Sequence, residues 1–468
     1  MKKFFYLILP VVLAFGCTTE EEPKNRTQQQ VVKPQQEETS EIQLKQKEVI
    51  DKPFADIDVP FQTFKYNSRR ENIIDISSGT QIRIPAEAFE DESGNAIKNG
   101  VDIKYREFHD ISDIMLSGIK MNTPDGDFES AGMFEIRALK DNQELKLKEG
   151  KTIDVEMASY KSGEFNSYAL NEETKEWEFI EESKAEPNTR KIEGLAQLDS
   201  AEKTVEPVCD IEPAEMQDGD EVFDIDYKLQ RHSSLKLFNG AMWKVDGGPE
   251  MVERFKRDRK VYNELSLEPT TNCTSFRLTL WNRVNVVDDT NKTRYLVSPV
   301  WRGPALNRAK VNFKQRILAF KERVREMQQA RRAFEREADL VRKFELKGMG
   351  IFNCDKLIDF VKAVPLALVI TCQEKIRNWW LITMNKKAAI KFYNPTVPNF
   401  RHNPNSTNSV MAVLPNDKIG IITEEQFESA YEAYRKSDDP NKKLELELQV
   451  EPEPVADKKA FKNHISRF

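Results

Sequence analysis

The side chains able to do chemistry in this 468-residue chain are few and scattered. The four histidines, His109, His232, His402 and His464, share no spacing that would set two ring nitrogens on one metal ion. There is no glycine-rich phosphate loop with its Lys, no Gly-x-Ser-x-Gly elbow, no Cys-x-x-Cys and no His-Glu-x-x-His. Cys354 and His402 both follow strand-forming runs and can in principle be nucleophile and base, since such pairs assemble in space rather than in sequence; a structural cysteine is the plainer reading. Glu107 and Asp110 are a carboxylate pair of the type glycoside hydrolysis uses, but nothing around them supplies the rest of a site. Asp125-Gly126-Asp127 and Asp218-Gly219-Asp220 can present oxygens to calcium, yet neither has alternating ligands ending in Glu, so both read as turns. An enzyme is not expected, and no cofactor or metal is implied.

Binding chemistry is better represented. Trp379 and Trp380 are adjacent in a strand-forming run, so one must face away from the sheet's core, where it either stacks on a sugar ring or a protein partner or, the favoured reading, lies beneath the long helix expected at residues 303–347. Charged residues make up 32% of the chain and the net charge is -7, which describes a well-solvated surface and selects no ligand class by itself.

The first twenty-two residues address the protein. Lys2-Lys3 precede an apolar run from Phe4 to Gly16, too short for a membrane-spanning helix of about 20 residues but suited to a secretory signal. Ala14-Phe15-Gly16-Cys17 resembles a bacterial lipobox, which implies removal of residues 1–16 and acylation of Cys17 by diacylglycerol and a further palmitate-type chain. Glu20-Glu21-Glu22 resembles the surface-export signal of Bacteroidota lipoproteins, implying an outer-membrane protein on the cell surface. At about 0.8 kcal/mol per buried methylene, two or three acyl chains anchor such a protein firmly. Nucleic acid is not an expected partner there. Four cysteines remain after Cys17; either Cys209 pairs with Cys273 and Cys354 with Cys372, or they are buried free thiols.

The elements that would position these residues follow from hydrophobic period. Residues 17–53, rich in Glu, Gln and Lys, bury too little to repay ordering and read as a tether. Residues 54–182 alternate at Ile82 and Ile84, Val101 to Tyr105, Phe134 to Ala138 and Ile153 to Met157, with turn formers at Gly94-Asn95, Asn99-Gly100 and Asp125-Gly126. They predict an antiparallel, immunoglobulin-like β-sandwich. Ile84-Pro85-Ala86-Glu87-Ala88-Phe89 resembles the start of a ZU5-type sandwich, an interaction module. Tyr105-Arg106-Glu107-Phe108, Ser117-Gly118-Ile119 and Glu129 to Ile136 are similar to a group of uncharacterised Bacteroidota envelope lipoproteins. Phe108-His109-Asp110 departs from the His-Phe-Ser/Thr step at which some ZU5 relatives cleave themselves, so cleavage is not carried over.

Residues 183–219 read as a polar linker in which Asp199-Ser200-Ala201 resembles the Bacteroidota O-glycosylation acceptor, with Ser200 as its site. Residues 220–302 and 348–436 predict a second sandwich-like β-domain, with a capped helix after Thr423. Between its halves, residues 303–347 predict one helix about 60 Å long, opened by Pro304. Phe313, Ile317, Phe320, Val324, Met327, Phe334, Ala338 and Val341 fall four and three apart with Arg331 in the remaining place, a heptad seam on a basic helix. It either packs along its own domains or hairpin, or binds a protein partner, a second copy or an anionic glycan or headgroup. Residues 437–468 read as an edge strand and tail. The expected whole is a mainly β, lipid-anchored envelope protein acting by contact within a membrane assembly; the alternatives are a glycan-binding surface protein and, remotely, a cysteine-dependent hydrolase.

Overall fold

Short runs of alternating apolar and polar residues lay one apolar face on each sheet, and those faces determine how the chain closes. The computed structural model describes residues 50–204, 211–225, 233–271, 274–282, 292–358, 363–383 and 387–467. These residues are mainly β, in largely antiparallel sheets. Six helices accompany them: α1 (Ile111–Ser117), α2 (Thr189–Thr204), α3 (Pro249–Val261), α4 (Pro304–Arg336), α5 (Glu424–Lys436) and α6 (Lys458–Ser466).

The first sandwich faces two sheets around Ile82, Ile103, Phe134, Val155, Phe344 and Phe352. One runs Gln62–Tyr66, Val101–Phe108, Gly126–Lys140, Gly350–Leu357, Glu164–Asn171, Glu176–Lys184; the other Glu186–Pro187, Leu340–Leu346, Ile153–Ser159, Gln81–Ile84, Asn72–Asp75. An interior strand of each sheet therefore comes from beyond the long helix. Phe352 is in register with Phe134, and Phe344 with Val155. This corrects the expected boundaries, in which residues 340–357 belonged to the helix and to a second domain. The strand Leu340–Leu346 was masked because Arg342, wholly buried, takes one inward place among Phe344 and Leu346, while Ala338 and Val341 extend the heptad spacing by coincidence. Helix α4 stops at Arg336 rather than at Lys347 because the following backbone is captured: the Ala338 N–H donates to Ser78 O at 2.7 Å, and Asn188 Nδ2 donates to Ala338 O at 3.0 Å.

Residues 211–302 form a single sheet, not half of a sandwich. Its order is Val222–Phe223, Met242–Val245, Lys292–Trp301, Phe276–Trp281, Glu264–Pro269, with Ala214–Glu215 parallel to Lys292–Trp301. Phe238, Trp243, Phe276 and Trp301 build its core with Phe255 of α3 and Leu306 of α4.

The second sandwich lies in residues 364–450. Thr396–His402, Val364–Thr371 and Leu444–Glu447 face Ala388–Phe392, Asn378–Thr383, Asn408–Val413, Ile419–Ile422 and Gln449–Val450 across Leu368, Trp379, Val410, Phe427 and Leu446. The other side of that five-stranded sheet buries Trp380, Ile382 and Met411 against Met115 and Leu116 of α1 and Phe461 and Ile465 of α6. The expected tail is thus structural: Leu444, Leu446 and Leu448 are core residues, and Asp457 caps α6 beyond the prolines. The expected linker is structural too, since Glu186–Pro187 pairs with Leu340–Leu346 and the run Thr189–Thr204 behind it forms α2.

Candidate interaction surface

Helix α4 has 33 residues and so extends about 50 Å. Its first turn is held by Leu306 in the core of the 211–302 sheet, and its last turn runs directly into the first sandwich. Helix α2 lies antiparallel on the C-terminal end. The ring of Phe334 occupies the place a side chain would take at Gly194, where a Cβ would collide with Cζ. Arg331, the polar residue in the seam, reaches across: its Nη2 is 2.6 Å from Asp199 Oδ1 and 3.0 Å from Glu202 Oε2. The seam residues Phe313, Ile317, Phe320, Val324, Met327 and Phe334 are all half-buried, so none of them reaches a core. The helical hairpin that the heptad spacing allows is therefore formed at the α2 end.

The remaining surface of α4 is basic. Arg308, Lys310, Lys314, Arg316, Lys321, Arg323, Arg325, Arg332 and Arg336 stand against Glu322, Glu326 and Glu335, in a chain whose net charge is negative. No acidic residue precedes Glu322 in the helix. Val311 and Leu318, one heptad apart on this face, are 55% and 66% exposed. Cations around an exposed apolar pair are the composition of a docking strip for an acidic surface.

The other candidates are distributed among structural tasks. Cys17, Cys209, Cys273 and His232 lie outside the described residues. Cys354 and Cys372 are free thiols, which excludes the bond between them and leaves the second of the two readings: Cys354 is in the first sandwich's core and Cys372, half-buried, packs on the second's. The same separation parts Cys354 from His402. Burial pushes the Cys354 thiol up to about 11, partly offset by the Arg342 guanidinium, which disfavours the thiolate at neutral pH. Burial lowers His402 to about 4; its ring is tilted by 55° against that of Tyr431, with centres 3.9 Å apart, and stacks on Phe427 at 5.6 Å, and neither ring nitrogen has a hydrogen-bond partner. Ser200 is exposed, but in α2 rather than in an extended linker, and its hydroxyl donates to Ala196 O at 2.9 Å.

Glu107 and Asp110 are committed separately. Asp110 caps α1, accepting from the Asp113 N–H at 2.9 Å, and pairs with Lys462 at 2.7 Å. Glu107 accepts from the Thr80 hydroxyl and, at 2.9 Å, from the Tyr105 hydroxyl, while its other oxygen is 2.9 Å from His109 Nε2. Burial alone would raise its pKa, but the bonds from His109 and Thr80 outweigh it and hold the carboxyl below its ordinary value. Asp125 and Asp127 flank the turn into the strand Gly126–Lys140, and Asp220 accepts from the Gln217 N–H at 2.8 Å; no group of three metal-ligating side chains occurs among the described residues. Trp379 and Trp380 are both buried. Trp379 stacks on Phe392 at 4.2 Å, and Trp380 lies under α1 and α6, so its cover is not the long helix and neither ring is an open platform.

Two polar clusters escaped sequence reading. Arg106 pairs with Glu135 at 2.6 Å and Asp58 at 2.7 Å, and Glu135 in turn with Arg137 at 2.9 Å, forming a buried ladder whose only sequence signal is opposite charges at outward strand positions. Asp355 is fully buried, receives a hydrogen bond from Asn353 Nδ2, and leaves Oδ1 without a partner. No known family profile, curated protein or solved structure matches this chain.

Proposed function

We propose that this chain is a lipid-tethered protein of the bacterial outer membrane that acts by binding an acidic protein partner along α4, as a component of an envelope assembly. The carrying observation is the basic face of α4 around the exposed pair Val311 and Leu318. Rigid mounting favours the same reading, because a helix fixed at both ends loses little conformational freedom on binding. The tether reading rests on Cys17 and its preceding apolar run. Among the described residues no helix is long and apolar enough to cross a membrane, so attachment through acyl chains is consistent with the folded part. The hydrolase alternative finds no support, since its nucleophile and base occupy different cores.

The test is isolation of the tagged chain from its own membranes beside the double variant Arg316→Glu, Leu318→Asp. A stoichiometric acidic partner is expected with the parent and absent with the variant, at unchanged thermal midpoint. A partner retained by the variant, or none with the parent, contradicts the proposal.

A further inference from the structure

A cleft of about 240 Å³ opens where the turn at residues 124–126 of the first sandwich meets the second sandwich. Leu381, Phe392 and Phe400 supply its apolar lining, and Asp125, Asp127, Asn399 and Arg401 its polar groups. We propose that this cleft binds a single neutral sugar ring of a glycan.

The floor is rigid. Phe392 is half-buried and stacked on the fully buried Trp379 with ring planes 12° apart, so the ring that lines the cleft is fixed in orientation before any ligand arrives. A flat apolar ring beside converging polar side chains matches a pyranose, which has an apolar C–H face and an equatorial belt of hydroxyls. The polar groups narrow the class. Asp125 and Asp127 against the single guanidinium of Arg401 leave the cleft a small net negative charge, which disfavours anionic ligands, and a neutral polyol can donate to the carboxylates and accept from Arg401 and Asn399. Asp127 is short of solvation: burial lifts it to about 6 and the Arg401 charge offsets this only in part, so at neutral pH its carboxylate gains from ligand hydroxyls. The volume lies below the roughly 300–1,000 Å³ of sites for drug-sized ligands, which limits the occupant to one ring. The site is distinct from α4 and stands or falls independently of it.

The test is saturation-transfer NMR on the full chain in a detergent without a sugar headgroup, titrated with the methyl glycosides of glucose, galactose and N-acetylglucosamine. At least one should saturate with a dissociation constant of about 1–10 mM and weaken about tenfold or more in Asp127→Asn. Asn399→Ala, at an exposed position, should weaken it several-fold and guards against a folding defect in the first variant. No saturation by any of the three up to about 50 mM, or binding unchanged in both variants, would overturn the proposal.

Discussion

Asp355 and His402 are ionisable groups held where ionisation is costly. Burial drives the Asp355 pKa well above its ordinary value, with hydrogen bonds and Lys161 compensating only in part. A carboxyl raised in the folded state favours folding at low pH and loses that contribution as pH rises, so it burdens the protein at neutrality. Asp355→Asn should therefore stabilise by about 1–2 kcal/mol at pH 8 and by less at pH 4, as read by thermal melts at the two values. His402 has the opposite sign of response. Its folded value near 4 lies below the ordinary 6.5, so between these limits the unfolded chain takes up a proton that the folded chain refuses, and stability falls as pH is lowered. His402→Phe keeps an aromatic ring against Tyr431 and Phe427 and should remove roughly 2–3 kcal/mol of this acid sensitivity; a denaturation series from pH 7 to 4 with an unchanged slope would contradict it. Neither group was legible in sequence. A lone His or Asp carries no mark of its burial, which is fixed by strands paired from distant parts of the chain.

At the scale of elements, local signals were readable and their ends were not. The α4 seam from Phe313 to Phe334, without Ala338 and Val341, the strand alternation at Val101–Phe108 and Ile153–Ser159, and the capping box of α5 match the local pattern. The run that became α2 was hidden by flanking prolines and a weak apolar stripe, since its stability comes from lying on α4 rather than from its own pattern. Gly194 is the residue that permits this contact. Gly194→Val should separate the helices and cost about 1–3 kcal/mol, and Phe334→Ala in the same chain should recover part of that by vacating the space. Additive losses in a double-mutant cycle would show that the two residues do not meet.

For the whole molecule, fold class was legible and chain routing was not. Periodicity indicates how many faces a strand buries, but not that Gly350–Leu357 slots between Gly126–Lys140 and Glu164–Asn171, because pairing over some two hundred residues leaves no local trace. The consequence is a closed circuit: the first sandwich is incomplete until the chain has passed through the 211–302 sheet and returned along α4. Residues 50–204 alone should lack a cooperative melt, and residues 337–358 fused to them should restore one; a cooperative transition in the shorter fragment would refute this dependence. Such a circuit ties one end of α4 to the core of the 211–302 sheet and the other to the first sandwich. The most direct measurement is photocrosslinking in intact membranes, with a photoreactive residue at Leu318 on α4 or at Phe179, equally exposed on the first sandwich. A discrete crosslinked product from position 318 and none from 179 is expected. No product from 318, or the same products from both positions, would contradict α4 as the binding surface.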